Sequence, residues 1–225
     1  MLDGDVIQSL VNGTWLTIRL TLVAVLLGTG MSILSGLASL SPWRGIRAVN
    51  RVYVDFFRGT SAIVQLFWIF FALPLVGISL SAFAAGVVTL GLNMGSYGSE
   101  VVRGAILAVP KGQMEAAVSL NLSTMQRMRH VIFPQAIVAM LPPYGNLLIE
   151  LLKATALVSL ITLSDLAFEA QKLRELGVAS TTVLFSTILV IYFVLALGIT
   201  GLVRLAERFF SRGLDIRRTV RRPTP

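Results

Sequence analysis

Three long stretches of the chain carry no charged residue: Leu20–Trp43, Gly59–Ser99 and Leu176–Val203. Their apolar runs are continuous rather than alternating, which reads as helix and not as the strands of a barrel. A hydrocarbon core about 30 Å thick needs about 20 apolar residues of helix at ~1.5 Å rise each. The first and last stretches are therefore single spans, and the middle one holds two, broken around Pro74–Ser79. With a further apolar segment after Ala136, the pattern predicts five spans: Thr14–Leu40, Val52–Val76, Leu80–Ala108, Ile137–Leu163 and Thr181–Phe209. In the fourth, Pro142 and Pro143 are expected to distort the start, and Glu150 and Lys153 lie inside. Residues 1–13, with Asp3 and Asp5, read as a short interfacial lead-in, with no basic stretch of the signal-peptide kind before the first apolar run. The fold class is all-α integral membrane.

The polar residues between spans set the orientation. Arg44, Arg47 and Arg51 separate spans one and two; Lys111, Arg127 and Arg129 separate three and four. The tail adds Arg208, Arg212, Arg217, Arg218, Arg221 and Arg222, whereas the opposite connections are uncharged or mixed. The positive-inside rule then predicts an outside N-terminus and a cytoplasmic C-terminus. Charged residues make up 13% of the chain, about half the share usual in soluble domains. The net charge of +8 is thus read as topology and attraction to anionic lipid, with no nucleic-acid partner. With no cysteine, disulfides and thiolate chemistry drop out. His130 is the single histidine and reads as a surface residue, and none of Lys111, Lys153 and Lys172 is followed by Ser or Thr, so a Walker A loop is absent. No catalytic residue, metal site or cofactor is expected, and any ATP is bound by another chain.

The island from Pro110 to Ala136 is polar and basic between two apolar spans. Gln113–Leu120 holds good helix formers, with Glu115 near the start, where the helix dipole favours an acid. Asn121 tolerates the left-handed conformation that ends helices, and Ser123 can cap a second short helix over Thr124–Ile132. Pro134 is expected to close the unit. The residues alone leave two readings: an ordered knob of two short helices, or an ordinary solvated connector.

Pro110-Lys111-Gly112-Gln113, Glu115-Ala116-Ala117 and Phe133-Pro134-Gln135-Ala136 resemble the cytoplasmic signature of ABC importer permeases of the polar amino acid uptake family. The similarity continues in Asn146, Leu152-Lys153, Thr155 and Leu157-Val158-Ser159, and upstream in Phe56-Phe57-Arg58-Gly59-Thr60, Tyr97, Glu100 and Arg103-Gly104. The resemblance implies a MetI-like type I importer transmembrane domain over 14–209, with a coupling loop at 110–136 and a basic cytoplasmic tail at 210–225, in a bacterial cytoplasmic membrane. It also implies a second permease subunit, identical or different, a cytoplasmic ABC ATPase dimer and an extracytoplasmic solute-binding protein. Carried over, Glu115, Ala116, Ala117 and Asn121 become the ATPase-coupling site.

Three positions depart from the family pattern. Asn121 replaces a usual Gly; Ser61 replaces a Pro and is expected to soften a bend in the second span; Ala154-Thr155-Ala156 replaces Asp-Thr-Ser near the presumed pathway. Glu150 and Lys153, three apart on one helical face, read either as a neutralising ion pair or, with Thr155, as part of the solute pathway. Glu100 and Arg103 repeat the spacing and read as a structural pair, and Asp55 and Arg58 as interfacial. Arg19 either snorkels to headgroups or meets a solute carboxylate or the binding protein. Gly28, Ser32 and Gly36 mark a close helix contact, while Trp15, Trp43 and Tyr53 fall near interfaces. Leu120-Asn121-Leu122 and Leu141-Pro142-Pro143-Tyr144-Gly145-Asn146 also resemble the ectoine and hydroxyectoine branch, so the implied solute is a polar amino acid or ectoine. The rival class, an ATP-independent secondary transporter or channel, more often shows repeated halves; no internal repeat is evident.

Overall fold

The computed structural model describes residues 4–211; the tail arginines from Arg212 onward lie outside them. Helix α1, Gly4–Ser39, runs unbroken for 36 residues. The segment read as a lead-in is its first turns, because Val6 and Leu10 pack against Leu166, Ala170, Leu173 and Leu184.

The predicted second span is two helices. Helix α2, Arg44–Gly59, and α3, Ala62–Phe67, begin two arms that meet at 105°. Thr60 and Ser61 are extended between them. α3 continues as a π turn over Trp68–Ala72 and a 3-10 turn over Leu73–Val76, ended by Gly77 at φ +89°. A bend strands carbonyls that lipid cannot hydrate. Buried Gln65 meets that need: its Nε2 donates to the Phe57 carbonyl at 3.1 Å, the Thr60 carbonyl at 3.2 Å and Thr60 Oγ1 at 2.7 Å. Asn93 donates to the same Phe57 carbonyl at 3.2 Å. The sharp bend therefore persists with Ser61 in place of a proline. Tyr53, expected at an interface, is instead a tie inside the bundle, its hydroxyl donating to the Leu92 carbonyl at 2.7 Å.

Helix α4, Ala82–Leu107, starts at Ser81, whose hydroxyl accepts from the Ala84 N–H, and fourteen of its 26 residues are buried. It lies along α1 through residues with little or no side chain. A Cβ on Gly95 would stand 2.6 Å from Met31 Cβ, and one on Gly36 would stand 2.7 Å from Val102 Cβ. Gly28 faces Gly91 and Met94, and Gly98 faces Ser32, so the small-residue stripe of α1 is a contact within the subunit. This central position also explains the composition of α4. Among the described residues, Gly4–Ser39, Thr124–Ile161 and Thr181–Phe210 are long and apolar enough to cross a membrane, and the bent α2–α3 pair makes a fourth. α4 is long enough but carries Gly, Ser and Asn where lipid would favour Leu.

Helix α5 is Lys111–Ser119. Helix α6, Thr124–Arg127, passes through a π turn at Met128–Ile132 into α7, Phe133–Ala154, and then a 3-10 turn at Thr155–Ile161. Thr124–Ile161 is thus one helical rod of 38 residues. Pro134 does not close the loop off; it lies inside the rod, directly after the π turn in which the Phe133 N–H donates to the Met128 carbonyl. Pro142 and Pro143 lie inside α7 and the helix carries on past them, as bundle neighbours allow in membranes. Helices α8, Leu166–Glu175, and α9, Thr181–Phe210, complete the described chain. Only Leu184 of α9 is buried, so its apolar surface is left to lipid or another chain. The main core gathers Leu20, Leu66, Leu90, Leu151, Val158 and Ile161 from α1, α3, α4 and the rod.

Candidate coupling knob and solute pathway

The island between the spans is ordered. Glu115 and Ala116 are exposed on α5, while Ala117 turns inward and is buried. Asn121 takes φ +54°; the Leu122 N–H donates to the Ala117 carbonyl at 3.1 Å and the Asn121 N–H to the Val118 carbonyl at 2.8 Å. Those two bonds form a Schellman ending, which needs one left-handed residue, and Asn supplies it at little cost. Ser123 and Gln126 then form a reciprocal capping box. The Arg127 guanidinium joins the two parts, donating to Thr124 Oγ1 at 3.0 Å and reaching Met114 Sδ at 3.9 Å. The slack-connector reading falls. The expectation of a second short helix is also corrected: α6 is the inner end of the rod. Around Glu115, the knob exposes Leu120 (74%) and Met125 (75%) with part of Met114 and Val118, an apolar patch of the kind that marks a contact surface.

Among the described residues, two of the cavities gather polar side chains of α2, α4 and α7, and both open to the surface, where Arg51, Asp55, Arg58 and Glu150 are exposed. The smaller, about 210 Å³, holds Asn93, Tyr97, Glu150 and Ala154 between apolar walls that include Leu90 and Leu147. Glu150 and Lys153 do not pair, and Lys153 is exposed. Thr155 is outside the cavity; its buried hydroxyl donates to the Leu152 carbonyl at 2.7 Å. The larger, about 300 Å³, opens between α2 and α4 and is lined by Arg47, Arg51, Asp55, Arg58, Glu100 and Arg103. Arg103 and Glu100 form the expected pair at 2.7 Å. Asp55 and Arg58, read as interfacial, face this cavity, with the Arg58 guanidinium 5.3 Å from the Tyr97 ring centroid. Sequence reasoning missed this group, although Arg47, Arg51, Asp55 and Arg58 recur at 4, 4 and 3 residues, one face of a helix.

A second polar group joins α8 to α1 and α9. Asp165, fully buried, caps α8 by accepting from the Phe168 N–H at 3.0 Å, and Thr17 Oγ1 accepts from the Leu166 N–H at 3.2 Å. Asp165 Oδ2 and the Tyr192 hydroxyl are both buried without a hydrogen-bond partner. Burial pushes the Asp165 carboxyl up from 3.8 to about 6, against the pull of backbone hydrogen bonds from Phe168 and Ala167. The native state therefore holds this proton more tightly than the unfolded chain. The contribution of Asp165 to stability is greatest below pH 3.8, falls as pH rises through about 6, and above that is a cost of about 3 kcal/mol. Asp165→Asn keeps an oxygen for the cap and removes the charge. Its melting temperature at pH 7.5 is expected to exceed the wild type's by roughly 6 °C, and the fall between pH 4 and 6.5 should disappear. An unchanged pH profile would show that the carboxyl is solvated.

A sequence model of the family described as "Binding-protein-dependent transport system inner membrane component" matches residues 15–212. The probable amino-acid ABC transporter permease protein y4tF of Sinorhizobium fredii is 44% identical over 95% of this chain and 92% of its own length. The L-cystine transport system permease protein TcyB of Bacillus subtilis is 34% identical over 91% and 86%. A crystal structure of an amino acid ABC transporter with histidines superposes with TM-score 0.82 at 37% identity, covering 89% of this chain and 94% of that one. The MetNI methionine ABC transporter in an inward-facing conformation shares the fold, with TM-score 0.79 at 23% identity, over 92% of this chain and 99% of that one. With this all-helical MetI-like fold, this chain belongs to the inner membrane components of binding-protein-dependent transport systems, the non-catalytic permease subunits of ABC importers.

Proposed function

We propose that the chain forms the transmembrane pathway for a small zwitterionic solute, and that a separate ATPase dimer drives it through Glu115, Ala116, Ala117 and Asn121. The observation that carries this reading is the knob: a capped, rigid unit with an exposed acid and apolar rim, fused to a rod that also bears Glu150. Five spans cross the membrane with the N-terminus outside, a second permease subunit completes the pathway, and a solute-binding protein delivers from outside. A polar amino acid is favoured over ectoine, because the relatives carry amino acids in their names. Glu150, with Asn93 and Tyr97, offers the solute's ammonium a carboxylate. Ala154 lines the same cavity, so the acid that the family has there is missing and one carboxylate remains. Lys153 and Thr155 stand apart from it.

The complex of permease pair, ATPase and binding protein, reconstituted in proteoliposomes, is expected to accumulate one or a few polar amino acids from a labelled panel that includes ectoine. Loss of a charged hydrogen-bonding partner in Glu150→Gln should lower that uptake roughly tenfold with an unchanged melting temperature. Accumulation by the permease alone, without ATPase, would overturn the reading.

A further inference from the structure

Two polar stripes face each other across the seam between α2 and α4. Arg47, Arg51, Asp55 and Arg58 follow one face of α2; Asn93, Tyr97, Glu100 and Arg103 follow one face of α4. From Arg47 to Arg58 the stripe climbs about 16 Å of helix. That is deeper than the arginine belt that fixes topology at span ends, and charges placed inside spans mark solute routes. Some of these groups already have partners. Arg47 donates to the Ser41 and Pro42 carbonyls at 2.6 and 2.8 Å, and Arg103 is held by Glu100. Among the described residues, Arg51 and Arg58 have no ion-pair partner, and Arg58 rests on the Tyr97 ring. Since Arg58 lines the larger cavity and Tyr97 the smaller, that contact is the wall the two share.

We propose that the seam between α2 and α4 is the inner leg of the solute's route, and that it binds the solute's carboxylate, passing it from Arg58 to Arg51. The proposal rests on the transport reading above and narrows the solute class. Four arginines against Asp55 and Glu100 leave the lining net positive but mixed in sign. A zwitterion or an anion fits it; a net cation is repelled. Arginine suits the task because its weakly hydrated, planar fork grips a carboxylate through two parallel bonds.

Two experiments test it. In proteoliposomes holding the complete transporter, Arg51→Gln should lower uptake about tenfold. ATP hydrolysis stimulated by loaded binding protein should stay within about twofold of wild type, since the knob is untouched. Arg51→Lys should recover most of the uptake. Undiminished uptake in Arg51→Gln overturns the proposal, and so does a parallel loss of uptake and hydrolysis, the sign of a subunit contact. If replacing phosphatidylglycerol with phosphatidylcholine lowers wild-type uptake as much, the seam holds a lipid phosphate and the proposal also fails.

The second experiment needs no transport, so it separates this proposal from the reading beneath it. The chain has no cysteine, and Val54→Cys is a near-isosteric change that places one thiol in the cavity wall. An anionic methanethiosulfonate added from the cytoplasmic side should label it about fivefold faster than a cationic one, after normalising each to its rate with a free thiol. Equal or reversed preference, or no labelling, rules the seam out.

Discussion

Glu115→Lys should leave a chain that inserts and melts like wild type, yet in the assembled importer brings in less than about a hundredth of the solute. The fold has little stake in this side chain. Glu115 is exposed, makes no ion pair among the described residues, and contributes only its carbonyl, which accepts from the Ser119 hydroxyl at 3.1 Å. Exposed positions of that kind alter stability by about 0.5 kcal/mol or less. A partner surface shaped to receive an acid beside Leu120 and Met125 would instead bury an unpaired ammonium, at a cost of about 2–5 kcal/mol. Proteoliposome uptake, with membrane yield and melting as controls, separates the two effects. Asn121→Gly, which retains the left-handed turn, should transport normally. Wild-type uptake by Glu115→Lys would remove the docking assignment.

Gly95→Leu is expected to be among the substitutions most damaging to the fold. Its Cβ would stand 2.6 Å from Met31 Cβ and 2.7 Å from the Tyr53 hydroxyl oxygen. Neither neighbour yields easily: one is the stem of a side chain on α1, and the other is held on the Leu92 carbonyl. A leucine there would prise apart three helices at once. The expected cost is about 3 kcal/mol or more, at the upper end of overpacking. Gly104→Leu is the control on the same helix, because nothing lies within 4 Å of its Cβ position. Yield after detergent extraction and thermal melting should collapse for the first and stay near wild type for the second. Equal behaviour would mean that α1 and α4 are not closely apposed.

Much of this was legible in the sequence because it depends on neighbours along the chain. Asn121 and Ser123 announce a turn and a cap within three residues, and both form; Gln126 as the reciprocal partner of Ser123 is found only in the fold. Gly28, Ser32 and Gly36 announce a close approach, though not the partner, which only the fold identifies as α4. Reading failed where long-range hydrogen bonds decide. The bend at Thr60 stands on Gln65 nearby and on Asn93, which donates to the Phe57 carbonyl from 36 residues away. Pro142 and Pro143 are expected to distort the start of the fourth span, whereas α7 begins before them at Phe133 and carries on past both. Glu150 and Lys153 have the right spacing to pair but do not: both are exposed, and only Glu150 borders the smaller cavity. Asp165 and Tyr192, 27 positions apart, come close in the fold, which no pattern of spacing foretells.

The unbroken run from Thr124 to Ile161 bears on timing. On the proposed coupling, a stroke given at its Thr124 end needs no relay of separate helices to be felt at Glu150, or farther on where Thr155–Ile161 meets α1 and α8. At ~1.5 Å per residue this beam is about 55 Å long, more than the thickness of a bilayer. On the proposed coupling, a movement imposed at Thr124 and one felt at Ile161 would belong to one rigid body, with no joint between them to delay either.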